Sequence, residues 1–252
     1  MDLGLDGKVV LVTGASGDIG RAIADTMASE GALVAAGWHR KQAGARTLVD
    51  AIIQAGGKAL ETQIDQHDQE SIQAAVHQVE RELGPIAVLV ANAVSWPPRA
   101  PDTWDILTDS FIANATGTLS LIDSVLPGMR SAGWGRLVLI SSDVVDQPMP
   151  AAMAYPAAKG ALETAAKVLA VREARHGILT NVVRPGFTLT DRALNTPGFG
   201  QSVIDAEAAK TPTHRICTPE DVASAVAYLG SAANGHVNGE TLSVAGGRQL
   251  TR

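Results

Sequence analysis

Residues 13–20 read Thr13-Gly14-Ala15-Ser16-Gly17-Asp18-Ile19-Gly20 and stand between a buried apolar run, Lys8–Thr13, and a helical pattern from about Ile19 to Ser29. Glycine meets three needs at a strand-to-helix turn of this kind: the tight turn itself, close approach of backbone to a pyrophosphate, and close packing of helix on strand. The helix N-terminus adds free N–H groups and partial positive charge for phosphate oxygens. Gly14, Ser16, Gly17, Asp18, Ile19 and Gly20 are therefore candidate ligands of a dinucleotide. A carboxylate beside a pyrophosphate is unfavourable unless it caps the following helix or points away, and capping is the expected role of Asp18.

Outward from this turn, short β-branched runs alternate with longer helical patterns, which is the rhythm of βαβ units around a parallel sheet. Strands are expected at Ala32–Ala36, Ala59–Ile64, Ile86–Ala91, Arg136–Ser141, Leu179–Arg184 and Thr241–Val244. Helices are expected over about Gly44–Ala55, from Asp68, over Thr103–Arg130, over Ala152–Arg175, and from the cap Thr218-Pro219-Glu220-Asp221. Residues 186–213 are rich in Gly, Pro and Thr and read as a mobile cover over a site. With right-handed crossovers this gives an α/β fold: a Rossmann-type, doubly wound parallel sheet of about seven strands with helices on both faces, in one domain over 1–252.

The bulk properties narrow the function. The chain has 252 residues, 46% of them hydrophobic, enough for one sizeable core. Its net charge of −6 comes with scattered Lys and Arg rather than a basic stripe, so nucleic acid is not an expected partner. No apolar run reaches the roughly 18–20 residues that cross a bilayer, and the acidic N-terminus lacks a signal-peptide pattern. A cytoplasmic protein without membrane attachment is expected. Six dispersed histidines and the single Cys217 offer no metal-ligand spacing.

Tyr155-Pro156-Ala157-Ala158-Lys159 places a phenol and an ammonium four residues apart, hence on one helix face. A free tyrosine titrates near pH 10, and a neighbouring Lys⁺ favours the phenolate, which is expected to draw Tyr155 toward a working acid–base range. Ser142 follows a strand at the carboxyl edge of the sheet, where such folds bind ligands, and can hydrogen-bond the substrate oxygen that Tyr155 serves.

These residues resemble the short-chain dehydrogenase/reductase family, in its single-domain branch, over essentially the whole chain, with similarity to ketoreductases of the 3-oxoacyl-ACP reductase kind. The matching features are the Thr13–Gly20 turn, Asp65 after the third strand, Asn92-Ala93 after the fourth, Asn114 in the long helix, and Ser142 thirteen residues before Tyr155. Lys159, Pro185-Gly186 with Thr190, and Gly239-Glu240-Thr241 through Gly246-Gly247 complete the order. The resemblance implies that Tyr155 is the general acid in reduction and the base in oxidation, with Ser142 steadying the substrate oxygen. It implies that Lys159 binds the nicotinamide ribose and that Asn114 holds a water on a proton path from Lys159. Asp65 and Gln66 would lie at the adenine, Asn92-Ala93 at the adenine-side ribose, and Pro185, Gly186, Thr188 and Thr190 at the nicotinamide end. A homotetramer, or a homodimer, through the two long helices after the fourth and fifth strands is likewise implied.

The pattern departs from the family in places. The Gly14–Gly17–Gly20 spacing is that of the two-domain branch, yet the chain is too short for an added substrate domain. Ala91 replaces a polar brace, while Val94 and Val145 crowd the expected pocket. That pocket is expected to be lined by Val94, Ser95, Trp96, Val144, Val145, Pro148 and Leu194, with Ser142 and Tyr155 at its floor. This apolar wall suits a hydrophobic ketone or an acyl thioester.

Cofactor choice turns on the residues after the second strand. Gly37-Trp38-His39-Arg40-Lys41 contains no acid. His39 or Arg40 can pair with a 2′-phosphate and Trp38 can pack on adenine, so NADP(H) is the preferred cofactor and NAD(H) the alternative. Two other readings stay open at this stage: an alcohol dehydrogenase working toward NAD⁺ reduction, and a cofactor-binding module that regulates a partner without turnover.

Overall fold

A computed structural model describes residues 2–98, 100–147 and 152–251. Pro148, expected in the pocket wall, lies outside the described residues.

The seven expected strands form: β1 (Val9–Val12), β2 (Leu33–Trp38), β3 (Lys58–Gln63), β4 (Ile86–Ala91), β5 (Gly135–Ile140), β6 (Ile178–Pro185) and β7 (Thr241–Val244). They make one parallel sheet in the order β3-β2-β1-β4-β5-β6-β7. The order reverses at β1, so the crevice between β1 and β4 is the switch point where ligands of such sheets bind.

Both faces of the sheet are covered because its strands are apolar on both sides. Val10 and Val12 of β1 pack with Ile23 and Met27 of α1 (Asp18–Ser29) and with Val222 and Val226 of α9 (Pro219–Leu229). The alternate residues Val9 and Leu11 meet Ile72 and Val76 of α3 (Gln69–Leu83), and Leu121 and Val125 of α5 (Gly117–Ala132). The period of two along β1 thus divides the core into two layers. α2 (Gln42–Gln54) lies over the β2–β3 side and α6 (Ala154–Glu173) over β6.

Two expectations change. The long helix over Thr103–Arg130 is α4 (Trp104–Phe111), one π-helical turn (Ile112–Thr116) and then α5. Such a single wide turn often marks a functional position, and here it carries Asn114. The cover at 186–213 is not without secondary structure: it contains α7 (Asp191–Asn195) and α8 (Gln201–Lys210). Thr218 caps α9 as expected, with Asp221 returning the bond to the Thr218 amide.

Candidate active site

The glycine turn begins where β1 ends. Gly14 has φ +66°, a conformation that side chains resist. A Cβ on Gly20 would stand 2.7 Å from Asn92 Nδ2 and closer still to the Gly14 carbonyl oxygen, so only glycine lets α1 approach this near. Gly17 differs: its nearest neighbour to an added Cβ is 3.6 Å away. The protein itself leaves room there, in front of the helix. Gly17 is also the N-cap of α1 and supplies no capping side chain, so the first N–H groups of the helix point outward without a side-chain acceptor. A tight turn, an open approach and bare helix amides together fit the phosphates of a dinucleotide.

Asn92 braces this turn. Its Nδ2 donates to the Thr13 carbonyl at 2.9 Å, while the Thr13 hydroxyl accepts from the amides of Asn92 and Ala93 at 3.0 and 2.9 Å. The brace therefore survives the Ala91 substitution; Ala91 is simply buried in β4. Asp18 does not cap its own helix, contrary to expectation. Sitting at the first helical position, its carboxylate accepts instead from the Asp191 amide at 3.2 Å, at the start of α7. The side chain reaches across to the cover.

The residues expected at the adenine carry an unexpected arrangement of charges. Trp38 and Gln63 are register partners at the ends of β2 and β3, which brings the following residues side by side. His39 Nε2 lies 3.3 Å from one oxygen of Asp65, and His67 Nδ1 lies 3.3 Å from the other. The His67 amide bond and the two imidazoles hold the Asp65 carboxyl below its usual range. An acid thus stands beside His39 although β2 itself ends without one. Arg40 is exposed, and the Gln66 amide turns away to the Thr118 hydroxyl at 3.0 Å.

The candidate catalytic residues Ser142, Tyr155, Lys159 and Asn114 lie toward the carboxyl edge of the sheet. Ser142 follows β5 and accepts from the Val144 amide at the start of a 3₁₀ turn, Asp143–Val145. Its hydroxyl shares a hydrogen bond with the Tyr155 phenol. Tyr155 is 6% exposed, and Lys159, one turn along α6, is 2% exposed. Asn114 is fully buried: its Nδ2 donates to Ser95 O at 2.8 Å and Ser110 O at 3.1 Å, and its Oδ1 accepts from the Ser95 amide at 2.9 Å. It pins the stretch after β4 that carries Val94 and Trp96.

The electrostatics correct one expectation. Lys159 Nζ donates to the Ile140 carbonyl at 2.8 Å and stands 5.9 Å from the centre of the Tyr155 ring. Burial pushes the phenol well above its ordinary range, outweighing the Ser142 hydrogen bond and the charge of Arg192. Burial also lowers the Lys159 ammonium to about 8. The phenol of this structure is a protonated acid at neutral pH, not a near-phenolate, because desolvation is larger than any neighbouring positive charge.

Over the site, the Arg192 guanidinium sits 3.6 Å from the Trp96 ring centre, and that ring is 4.3 Å from the Tyr155 ring. Sequence reasoning named Trp96 but missed Arg192, whose position depends on how α7 folds back. It also missed Asp143, whose carboxyl burial pushes upward beside Ser142. Val94, Trp96 and Leu194 are exposed toward solvent, as a pocket wall requires, and Val144 is half-buried on the 3₁₀ turn. Among the residues expected at the nicotinamide, Pro185 closes β6, the Thr188 hydroxyl donates to Gly186 O at 2.8 Å, and the Thr190 hydroxyl caps α7. Cys217 is buried beneath this segment, and burial raises its thiol to about 11. That makes it a poor nucleophile.

A family model described as enoyl-(acyl carrier protein) reductase matches residues 14–249. The chain is 35% identical to an uncharacterized oxidoreductase of Methylorubrum extorquens over 246 residues, covering 96% of this chain and 98% of the relative. It is 33% identical to the 3-oxoacyl-[acyl-carrier-protein] reductase FabG of Salmonella typhimurium, covering 98% and 100%. The crystal structure of a gluconate 5-dehydrogenase from Burkholderia cenocepacia, in complex with NADP and tartrate, superposes with a TM-score of 0.88 at 29% identity, covering 100% of this chain and 98% of that one.

Proposed function

Because the chain belongs to the short-chain dehydrogenase/reductase family, a family of oxidoreductases, we propose that it reduces a ketone with NADPH and that Tyr155 delivers the proton. One observation carries the reading: the buried Tyr155 phenol meets the Ser142 hydroxyl at the carboxyl edge of the sheet, one helical turn from Lys159. A bound nicotinamide would supply the hydride, which is cofactor chemistry rather than protein chemistry.

The chain's own residues do the rest. The Gly14–Gly20 turn holds the phosphates, Asn92 and Ala93 the adenine-side ribose, and Lys159 the nicotinamide ribose. Pro185, Gly186, Thr188 and Thr190 flank the nicotinamide. Ser142 donates to the substrate oxygen and fixes it against Tyr155. The protonated phenol passes its proton to that oxygen as negative charge develops there. Burial keeps the phenol protonated, which is the form that donates in reduction.

NADPH is preferred because β2 ends without an acid and leaves Arg40 exposed to pair with a 2′-phosphate. The observation favouring NADH is the Asp65 carboxylate drawn up beside His39, which can accept from ribose hydroxyls. The substrate is a small carbonyl compound, with an acyl thioester within the class that the apolar wall admits; the named activity of the Salmonella relative is in keeping with this. Exposed Val168 and Val171 on the outer face of α6 support self-association into a dimer or tetramer. Among the described residues no helix is long and apolar enough to cross a membrane. The test is a panel of ketones, 3-oxo thioesters and secondary alcohols, followed by cofactor absorbance with each nicotinamide. NADPH oxidation with a kcat/KM at least tenfold above that with NADH is expected. Equal use of both, or turnover of alcohols alone, would overturn the proposal.

A further inference from the structure

Behind the catalytic set lies a buried ion-pair network that the reaction itself does not use. Glu163 is on α6, one turn beyond Lys159 and two beyond Tyr155, so it shares their helix face. Its Oε1 accepts from the Ser141 hydroxyl at 2.5 Å and from Arg184 Nε at 3.0 Å, while Oε2 accepts from Arg184 Nη2 at 2.6 Å. Arg184, near the end of β6, sends its remaining nitrogen, Nη1, to the Asp146 carboxylate. Ser141, Glu163 and Arg184 are all buried, whereas the Asp146 side chain is largely exposed.

The placement of these partners is what gives the network meaning. Ser141 immediately precedes Ser142. Asp146 immediately follows the 3₁₀ turn that Ser142 opens. The segment bearing the catalytic hydroxyl is therefore tied at both ends, and both ties run to the carboxylate on the helix that carries Tyr155 and Lys159. A buried guanidinium–carboxylate pair is a rigid, planar link, in contrast to a single hydroxyl contact. Burying such a pair adds little net stability in general, since desolvation offsets the attraction. Three elements joined through one carboxylate call for another reason.

We propose that Glu163 and Arg184 are positioning residues: they hold the Ser142 segment at a fixed distance and angle from the Tyr155 phenol, with Asp146 as the outer anchor. The inference rests on the reductase reading of the same site and adds two residues to it. A misplacement of about 1 Å at reacting groups can cost about 100-fold in rate, so a loosened Ser142 should appear in kcat rather than in binding.

The experiment uses three variants of the whole chain. Glu163→Gln removes the charge, and because it leaves the buried Arg184 with only the exposed Asp146 as a carboxylate partner it is read together with Glu163→Leu/Arg184→Met. That double variant exchanges the pair for apolar groups of similar size, a change that commonly preserves folding. Asp146→Asn loosens only the exposed anchor. Each is assayed beside the wild type with the same ketone, for kcat, KM, cofactor dissociation by nucleotide fluorescence, and melting temperature. The expected result is a kcat loss of tenfold or more in the double variant, with its melting temperature, KM and cofactor affinity near wild type. Asp146→Asn should show a smaller loss of the same kind. A folded double variant with wild-type kcat, or losses that appear in KM and cofactor affinity instead, would overturn the proposal. Wild-type turnover in the parallel assay secures the reductase reading, so a flat variant series counts against the network alone.

Discussion

Replacing Lys159 by Met should stabilise the folded chain at neutral pH while removing its activity. The ammonium is 2% exposed and its pKa falls from 10.5 to about 8 on folding, mainly through desolvation. At 1.36 kcal/mol per unit, holding this group charged at pH 7 costs the fold about 3 kcal/mol. Part of the gain from its removal is offset, since the Ile140 carbonyl loses its 2.8 Å donor and an unmet acceptor costs about 1–3 kcal/mol. The offset does not depend on pH, but the charge cost does. The folded pKa is depressed, so between about 8 and 10.5 the unfolded chain binds more protons than the folded one, and wild-type stability rises with pH across that window. From pH 7 to pH 9.5 the difference between variant and wild type should therefore shift by about 2 kcal/mol in favour of the wild type. For a domain of this length that is roughly 4–8 °C in relative melting temperature. Paired thermal melts at the two pH values provide the assay. A difference that stays constant with pH, or that shifts in favour of the variant, would refute the idea that Lys159 is a strained buried charge kept for function.

Other perturbations address the cradle. Gly20→Ala gains helix propensity of about 1 kcal/mol but drives a methyl to 2.7 Å from Asn92 Nδ2, an overpacking that costs about 1–3 kcal/mol. It should lower the melting temperature and weaken cofactor binding at least tenfold, as followed by nucleotide fluorescence; a neutral outcome would mean the turn does not need its close approach. Asp18→Asn keeps an acceptor for the Asp191 amide but removes negative charge from the start of α1. Calorimetry should show tighter cofactor binding by several-fold, and unchanged or weaker binding would argue that the carboxylate is not near the phosphates.

Much of the fold was legible because its signals are local. β4 and β7 begin and end where the apolar runs do, and Thr218-Pro219-Glu220-Asp221 carries its own capping chemistry. The π turn at Ile112–Thr116 was not legible, since a wide turn differs from an α turn by one hydrogen-bond step and leaves the apolar pattern nearly intact. The helices of the cover escaped for another reason: α7 has five residues, and α8 buries only Ile204, so neither shows an amphipathic stripe. In the site, the shared helix face of Tyr155 and Lys159 and the place of Ser142 after β5 could be read from spacing, because α6 and the β5 edge fix them. Asp65 beside His39, Arg192 over Trp96 and Glu163 between Ser141 and Arg184 could not. Each pairing depends on strand register or on a segment folding back, and a sequence read one element at a time does not contain that information. The acidity of Tyr155 was misjudged on similar grounds, because how deeply the phenol is buried is a property of the packed structure.

The most direct measurement is the turnover of Tyr155→Phe against a ketone that the wild type reduces, with cofactor affinity determined on the same preparation. The substitution removes one oxygen from a buried ring and leaves the Trp96 contact intact. Loss of proton donation should lower kcat by about 10²–10⁴, with cofactor binding within twofold of wild type. Turnover within tenfold of wild type would contradict the assignment of the phenol as the acid.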